Sequence, residues 1–193
     1  RLQEKLSQQL PMATVRVVGD FARRMEVIET GEYLIASDDL GACKSLLRSL
    51  EGVTWDLTKS GPMTWRGQLE EPALSLCLHF CAAEALVAQE LLWVASKAHL
   101  SSFVDEEETV AEKIRKTSYR DEADFFEKNQ LQFIPRELRE GHGEVALAKA
   151  GTLPVLLENS DLKGILHNHS TYSDGKHSLR QMAEHCKSLG YDY

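Results

Sequence analysis

Apolar residues change their spacing several times along this chain, and each change marks a new element. Leu2 to Leu10 carries helical spacing, and Pro11, which lacks the N–H that a helix interior needs, closes it. Val15, Val17 and Val18 predict a strand running into Gly19. Met25 to Ile28 and Tyr33 to Ala36 predict two further short strands, with Gly31 between them as a turn or bulge. Ser37, Asp38 and Asp39 offer capping oxygens to a helix whose apolar face is Leu40, Cys43, Leu46, Leu47 and Leu50, with Gly52 as its stop. Val53 to Thr58 and Met63 to Leu69 flank Ser60-Gly61-Pro62 as the arms of a hairpin. From Leu74 to Phe80 apolar residues alternate with Ser75, Cys77 and His79, predicting a half-buried strand with His79 on its outward side.

From Glu84 the spacing turns helical, and from Asp105 it becomes charged and less regular. Asp121 to Lys128 predicts a helix ending at Asn129. Ile134-Pro135-Arg136-Glu137-Leu138 predicts a proline-led helical turn, Gly141-His142-Gly143 a flexible one, and Glu144 to Ala150 a short helix. At Leu162 a new unit begins: a strand, a histidine-rich loop, then a helix with Leu179, Met182, Ala183, Cys186 and Leu189 on one face and Gly190 as its stop. The fold class is therefore α+β, a mostly antiparallel sheet with helices on one side. Its divisions fall at residues 1–84, 85–161 and 162–193.

The 193 residues leave room for one ordinary domain or two small ones. No apolar run is long enough to cross a bilayer, since the longest, around Ala82 to Ala95, is broken by Glu84, Gln89 and Glu90. Cys43, Cys77, Cys81 and Cys186 lack C-x-x-C spacing, and no secretory signal is evident, so a reducing, cytoplasmic setting is expected. Arg1 opens inside helical spacing, as it would in a piece cut from a longer protein. The net charge of −8 concentrates between residues 99 and 161, which argues against an independent grip on duplex DNA.

Chemistry gathers in Gly164-Ile165-Leu166-His167-Asn168-His169-Ser170-Thr171-Tyr172-Ser173-Asp174-Gly175. On an extended backbone, side chains two positions apart leave the same face, so His167 and His169 can converge on one ion while Asp174 adds an oxygen. The bland alternative is a polar loop in which Asp174 and Ser178 cap the next helix.

His167 to Gly175 resembles the first motif of PHP (polymerase and histidinol phosphatase) domains, and Phe133-Ile134-Pro135-Arg136-Glu137-Leu138-Arg139-Glu140 resembles the segment that precedes that domain in bacterial family X DNA polymerases, the DNA polymerase beta-like enzymes. The resemblance extends upstream at falling quality. It implies a nucleotidyltransferase palm, a shortened thumb across Phe103 to Leu131, and the first strand and helix of a PHP barrel, without the helix–hairpin–helix and fingers that usually come first. It further implies DNA as the partner of the whole protein, and a metal-dependent 3′ to 5′ exonuclease or phosphoesterase whose divalent ions (Mn, Zn or Mg) would be held in part by His167, His169 and Asp174.

Within the palm the pattern has drifted. Gly19-Asp20-Phe21-Ala22-Arg23-Arg24 falls where the family has Gly-Ser and an arginine pair, so Gly19, Arg23 and Arg24 are candidates for a relic phosphate clamp. Otherwise the arginines pair with Glu26 or Glu29. Thr30-Gly31-Glu32 falls on the paired metal-binding aspartates, and the third aspartate falls at Ser75 or Cys77. None of these is an aspartate, so the polymerase site is expected to be inactive. Leu92-Trp93-Val94-Ala95 stands where an aromatic segment shapes the nucleotide pocket. Simpler roles are expected elsewhere: Lys97 and His99 as a helix-end cation pair, Asp105 to Glu108 as a solvated loop, and Trp55, Trp65 and Trp93 as core.

Overall fold

A computed structural model describes residues 2–193, which fall into two compact units, one ending at Leu153 and the other running from Pro154 to Tyr193. In the first unit α1 (Leu2–Gln9) leads to β1 (Thr14–Val18), the one-turn α2 (Gly19–Ala22) and β2 (Thr30–Ala36). Next come α3 (Leu40–Leu47), the hairpin β3 (Val53–Gly61) and β4 (Thr64–Leu69), and β5 (Leu74–Cys81). Asp39 is the residue that caps α3, accepting from the Ala42 N–H at 2.8 Å.

The strands form one sheet in the order β1-β2-β5-β4-β3, antiparallel throughout except where β2 lies parallel to β5. A parallel pair needs a crossover between its strands. Here α3 and the β3–β4 hairpin together supply it.

Period-two alternation then sorts the side chains. Val15, Ile35, Leu76, Leu78 and Phe80 leave one face and pack with Leu6 and Leu10 of α1, with Cys43 and Leu47 of α3, and with Trp65. Each fully buried leucine there contributes about 1.5–3 kcal/mol. The opposite face carries Val18, Leu34, Ala36 and Cys81, covered by Val94 with Leu86 and Ala22 beside it. Helices thus cover both faces of the sheet, not one as the strand pattern alone suggests.

α4 (Leu86–Trp93) and the short α5 (Lys97–Leu100) follow the sheet. While Leu86 lies against the sheet, Leu91 enters a second, helical core with Val110 and Ile114 of α6 (Val110–Lys116) and Phe125 and Phe126 of α7 (Glu122–Lys128). Val145 and Ala148 of α8 (Glu144–Ala150) complete that core. Asp121 caps α7 and Asn129 ends it, as expected. Pro135 leads a 3-10 turn over Arg136–Leu138. Arg139, only 1% exposed, donates to the Ile134 carbonyl at 2.7 and 2.9 Å and to Glu122 at 2.6 Å, with its guanidinium over the rings of Phe126 and Phe133.

Several local expectations are corrected. Met25 to Ile28 is irregular, and Gly31 sits inside β2, paired with Leu76. A chain that must turn back from α2 to start β2 has no partner strand left for residues 25–28. Gly141-His142-Gly143 is pinned. The N–H groups of Gly141 and His142 both donate to Glu144, and a side chain at Gly141 would collide with the backbone of Ala98 and His99. Residues 162–169 form no strand, because no neighbour in the second unit pairs with them beyond the Ile165 N–H to Tyr193 and Asp192 N–H to Lys163 bonds. α9 (Leu179–Ser188) does form, capped by Ser178 and Gln181, with Leu179 and Leu189 largely exposed.

Candidate functional site

The parallel register of β2 with β5 sets the site. It places Thr30 opposite Ser75 and Glu32 opposite Cys77, and all four, with His79, leave the sheet on the face that carries Leu34 and Cys81. Both candidate positions on β5 therefore stand beside β2 positions: Ser75 by Thr30, Cys77 by Glu32.

Glu32 is the carboxylate at the centre of this group. His79 donates from Nε2 to Glu32 Oε2 at 2.8 Å, and one donor atom from each of Glu32, Cys77 and His79 lies within 4.8 Å of the other two. His79 is 4% exposed, not outward-facing as the strand pattern suggests, because α4 covers that side of β5. Trp93 at the end of α4 stacks on the imidazole, with ring centroids 3.6 Å apart and planes inclined by 20°. His79 Nδ1 is buried with no hydrogen-bond partner among the described residues. Burial first, and the Glu32 carboxylate second, push the Cys77 thiol up to about 11, against a smaller opposing effect of Arg66.

Gly19 completes the wall. Its φ of +66° is left-handed, and a Cβ there would strike the Glu32 side chain, so the glycine allows Glu32 to stand under the start of α2. Along the same face a groove of about 660 Å³ runs from Thr30, Ser75 and Cys77 to Arg66, Gln68 and Asp56.

The arginine pair takes partners other than Glu26 or Glu29. Arg23 is buried and bound by Asp20 and Glu140, both at 2.5 Å, while Arg24 is exposed and pairs with Glu137 at 3.2 Å. His99 belongs to no exposed cation pair; it is buried against Glu144 at 2.6 Å, and burial holds its pKa below the usual imidazole value. The acidic loop is closed by Lys113, which bridges Asp105 and Glu108. Trp55 and Trp65 are core residues as expected, edge to face at 5.5 Å.

In the second unit His169 Nδ1 meets Asp174 Oδ1 at 2.5 Å, which draws the Asp174 carboxyl below its ordinary range. The His167 ring lies 5.3 Å from that of His169. The backbone between them is not extended, since His167 has a φ of +56°. Asp174 engages His169, and the cap of α9 falls to Ser178.

No family model matches the chain. The DNA polymerase/3'-5' exonuclease PolX of Bacillus subtilis (strain 168) is 27% identical over 205 residues that take in 100% of this chain. The chain is a relative of the family X polymerases. It spans about a third of the length of that curated protein, 35%. Two crystal structures of Leishmania infantum polymerase beta share the fold, a ternary P/T complex and a ternary gap complex. Each has a TM-score of 0.53 and 15% identity over 72% of this chain, covering 72% and 66% of theirs.

The donor set can be tested against two magnesium ions, the requirement of nucleotidyl transfer. Two-metal chemistry needs several hard oxygen ligands shared between ions about 3.5–4 Å apart. Thr30, Gly31, Glu32, Ser75 and Cys77 offer one carboxylate at the relevant positions, with a thiol opposite it. They do not fit. His79 was missed as part of the site, although its place two residues beyond Cys77 on a strand puts those two side chains on one face. Trp93, expected as core, is instead partly exposed and lies on the His79 ring.

Proposed function

We propose that the chain is the palm and thumb of a DNA-processing protein related to family X polymerases, followed by the opening of a PHP domain, and that this palm positions DNA rather than extending it. The observation that carries the reading is Glu32: it is the one carboxylate where the β2–β5 register would require three. The polar groove beside it, with Arg66 and Gln68 on its wall, is suited to following a sugar–phosphate backbone. In the whole protein the chemistry belongs to a metal-dependent phosphoesterase, a 3′ to 5′ exonuclease or an enzyme of 3′-end processing in repair. The name of the PolX relative supports that assignment. His167, His169 and Asp174 would hold part of its divalent metal, manganese, zinc or magnesium, where two imidazoles and a carboxylate are apt ligands. The ion would supply a hydroxide nucleophile at neutral pH.

A primer-extension assay with Mg²⁺ and with Mn²⁺ tests the palm. No templated synthesis is expected, and robust synthesis with either ion would overturn the reading. A fluorescence titration against primer–template DNA at several salt concentrations tests the positioning role. Weak binding that falls steeply with salt supports it, and salt-independent absence of binding removes it.

A further inference from the structure

We propose that Glu32, Cys77 and His79 form a binding site for one zinc-class ion, at strand positions where the resemblance to family X polymerases implies carboxylates. Three observations carry the inference. The three side chains come from adjacent parallel strands and share one face, with donor atoms within 4.8 Å of one another. Zinc bonds of about 2.0–2.3 Å set tetrahedral donors about 3.3–3.8 Å apart, so a change of rotamer, not of backbone, brings the set into range. A carboxylate, a thiolate and an imidazole are a borderline-soft set that favours zinc or cobalt over magnesium.

The second observation is the nitrogen that faces the carboxylate. His79 Nε2 stands 2.8 Å from Glu32 Oε2, so an ion shared by the two side chains would take the place of the proton now between them. The third is enclosure. Cys77 and His79 are buried and Trp93 lies flat over the imidazole, whereas Glu32 keeps an edge toward solvent. An ion would enter past Glu32 and find three protein ligands, leaving the fourth tetrahedral position for water.

Binding would tie β2 to β5, so the ion should raise the unfolding temperature by mass action on the folded state. The site uses none of His167, His169 and Asp174, and it stands or falls independently of the DNA-positioning role, since the DNA titration reads one and metal spectroscopy the other.

Cobalt is the probe. The chelator-treated chain titrated with Co²⁺ should develop a thiolate-to-cobalt charge-transfer band and intense four-coordinate visible bands, saturating at one ion and displaced by Zn²⁺. C77S should abolish the charge-transfer band, and E32Q should weaken zinc binding by at least about tenfold, the scale seen when a metal shell is disturbed. C186S and the double variant H167A/H169A should leave the band intact. Its absence in the unaltered chain, or its survival in C77S, would overturn the proposal. Should C77S fail to fold, X-ray absorption of the unaltered chain with one equivalent of zinc decides the matter. One sulfur scatterer at about 2.3 Å supports the site. A shell of nitrogen and oxygen alone overturns it.

Discussion

Glu140 binds the guanidinium of Arg23 at 2.5 Å from 117 positions further along the chain. Asp20 binds the same guanidinium from one turn away. The first arginine of the pair is thereby a tie between the end of α2 and the segment that leads into α8. E140Q removes the long-range charge from a buried cation that keeps one partner, so a loss of about 1–3 kcal/mol is expected in urea unfolding. The neighbouring pair is the control. Arg24 is 80% exposed at its side chain, and R24A should change stability by less than about 0.5 kcal/mol.

Arg139 is a second structural arginine. Its guanidinium satisfies the Ile134 carbonyl and Glu122 while lying over two aromatic rings. Lysine keeps the charge but cannot supply the planar fork that reaches both groups. R139K should cost about 2–4 kcal/mol, read as a lowered urea midpoint, and equal stability would show that the fork is dispensable.

Gly19 permits Glu32 to occupy its place. G19A introduces a left-handed alanine whose Cβ meets the Glu32 carboxylate. About 1–3 kcal/mol of stability should be lost. A fully stable G19A would mean that Glu32 moves freely and is not held for His79.

Acidification should weaken the first unit in two separate ranges. His99 is buried neutral, its pKa lowered from 6.5 chiefly by desolvation and despite Glu144. The unfolded chain binds the proton more readily, so the stabilising contribution is complete above pH 6.5 and is lost as pH falls toward the folded-state value. Carboxylates such as Asp105, held down to about 2 by Lys113 and the Glu108 and Glu107 N–H groups, act only below their unfolded value of 3.8. Urea midpoints measured from pH 7.5 to 5 should decline for the unaltered chain and flatten in H99Q. An unchanged slope in H99Q would assign the decline elsewhere.

The elements were legible where one periodicity ran uninterrupted. α3 with Asp39 before it, the β3–β4 hairpin about Gly61, and α7 between Asp121 and Asn129 all stand where the spacing puts them. Legibility failed where a distant segment decides. His79 reads as solvent-facing because nothing near it in sequence announces that Trp93 will cover it. Arg23 reads as a partner of nearby glutamates because Glu140 is more than a hundred residues away. The residues Thr30, Glu32, Ser75 and Cys77 could be picked out as letters, but the pairing of Glu32 with Cys77 needed the parallel register.

That register acts as a ruler that substitution leaves untouched. Because β2 and β5 advance side by side in the same direction, exchanging one side chain for another never shifts the depth at which the two strands present their ligands. An inserted or deleted residue would slide one against the other and turn every donor to the wrong face. Single replacements within such a pair leave the frame intact, and carboxylates placed at positions 30 and 77 would stand beside positions 75 and 32 with no rebuilding of the backbone.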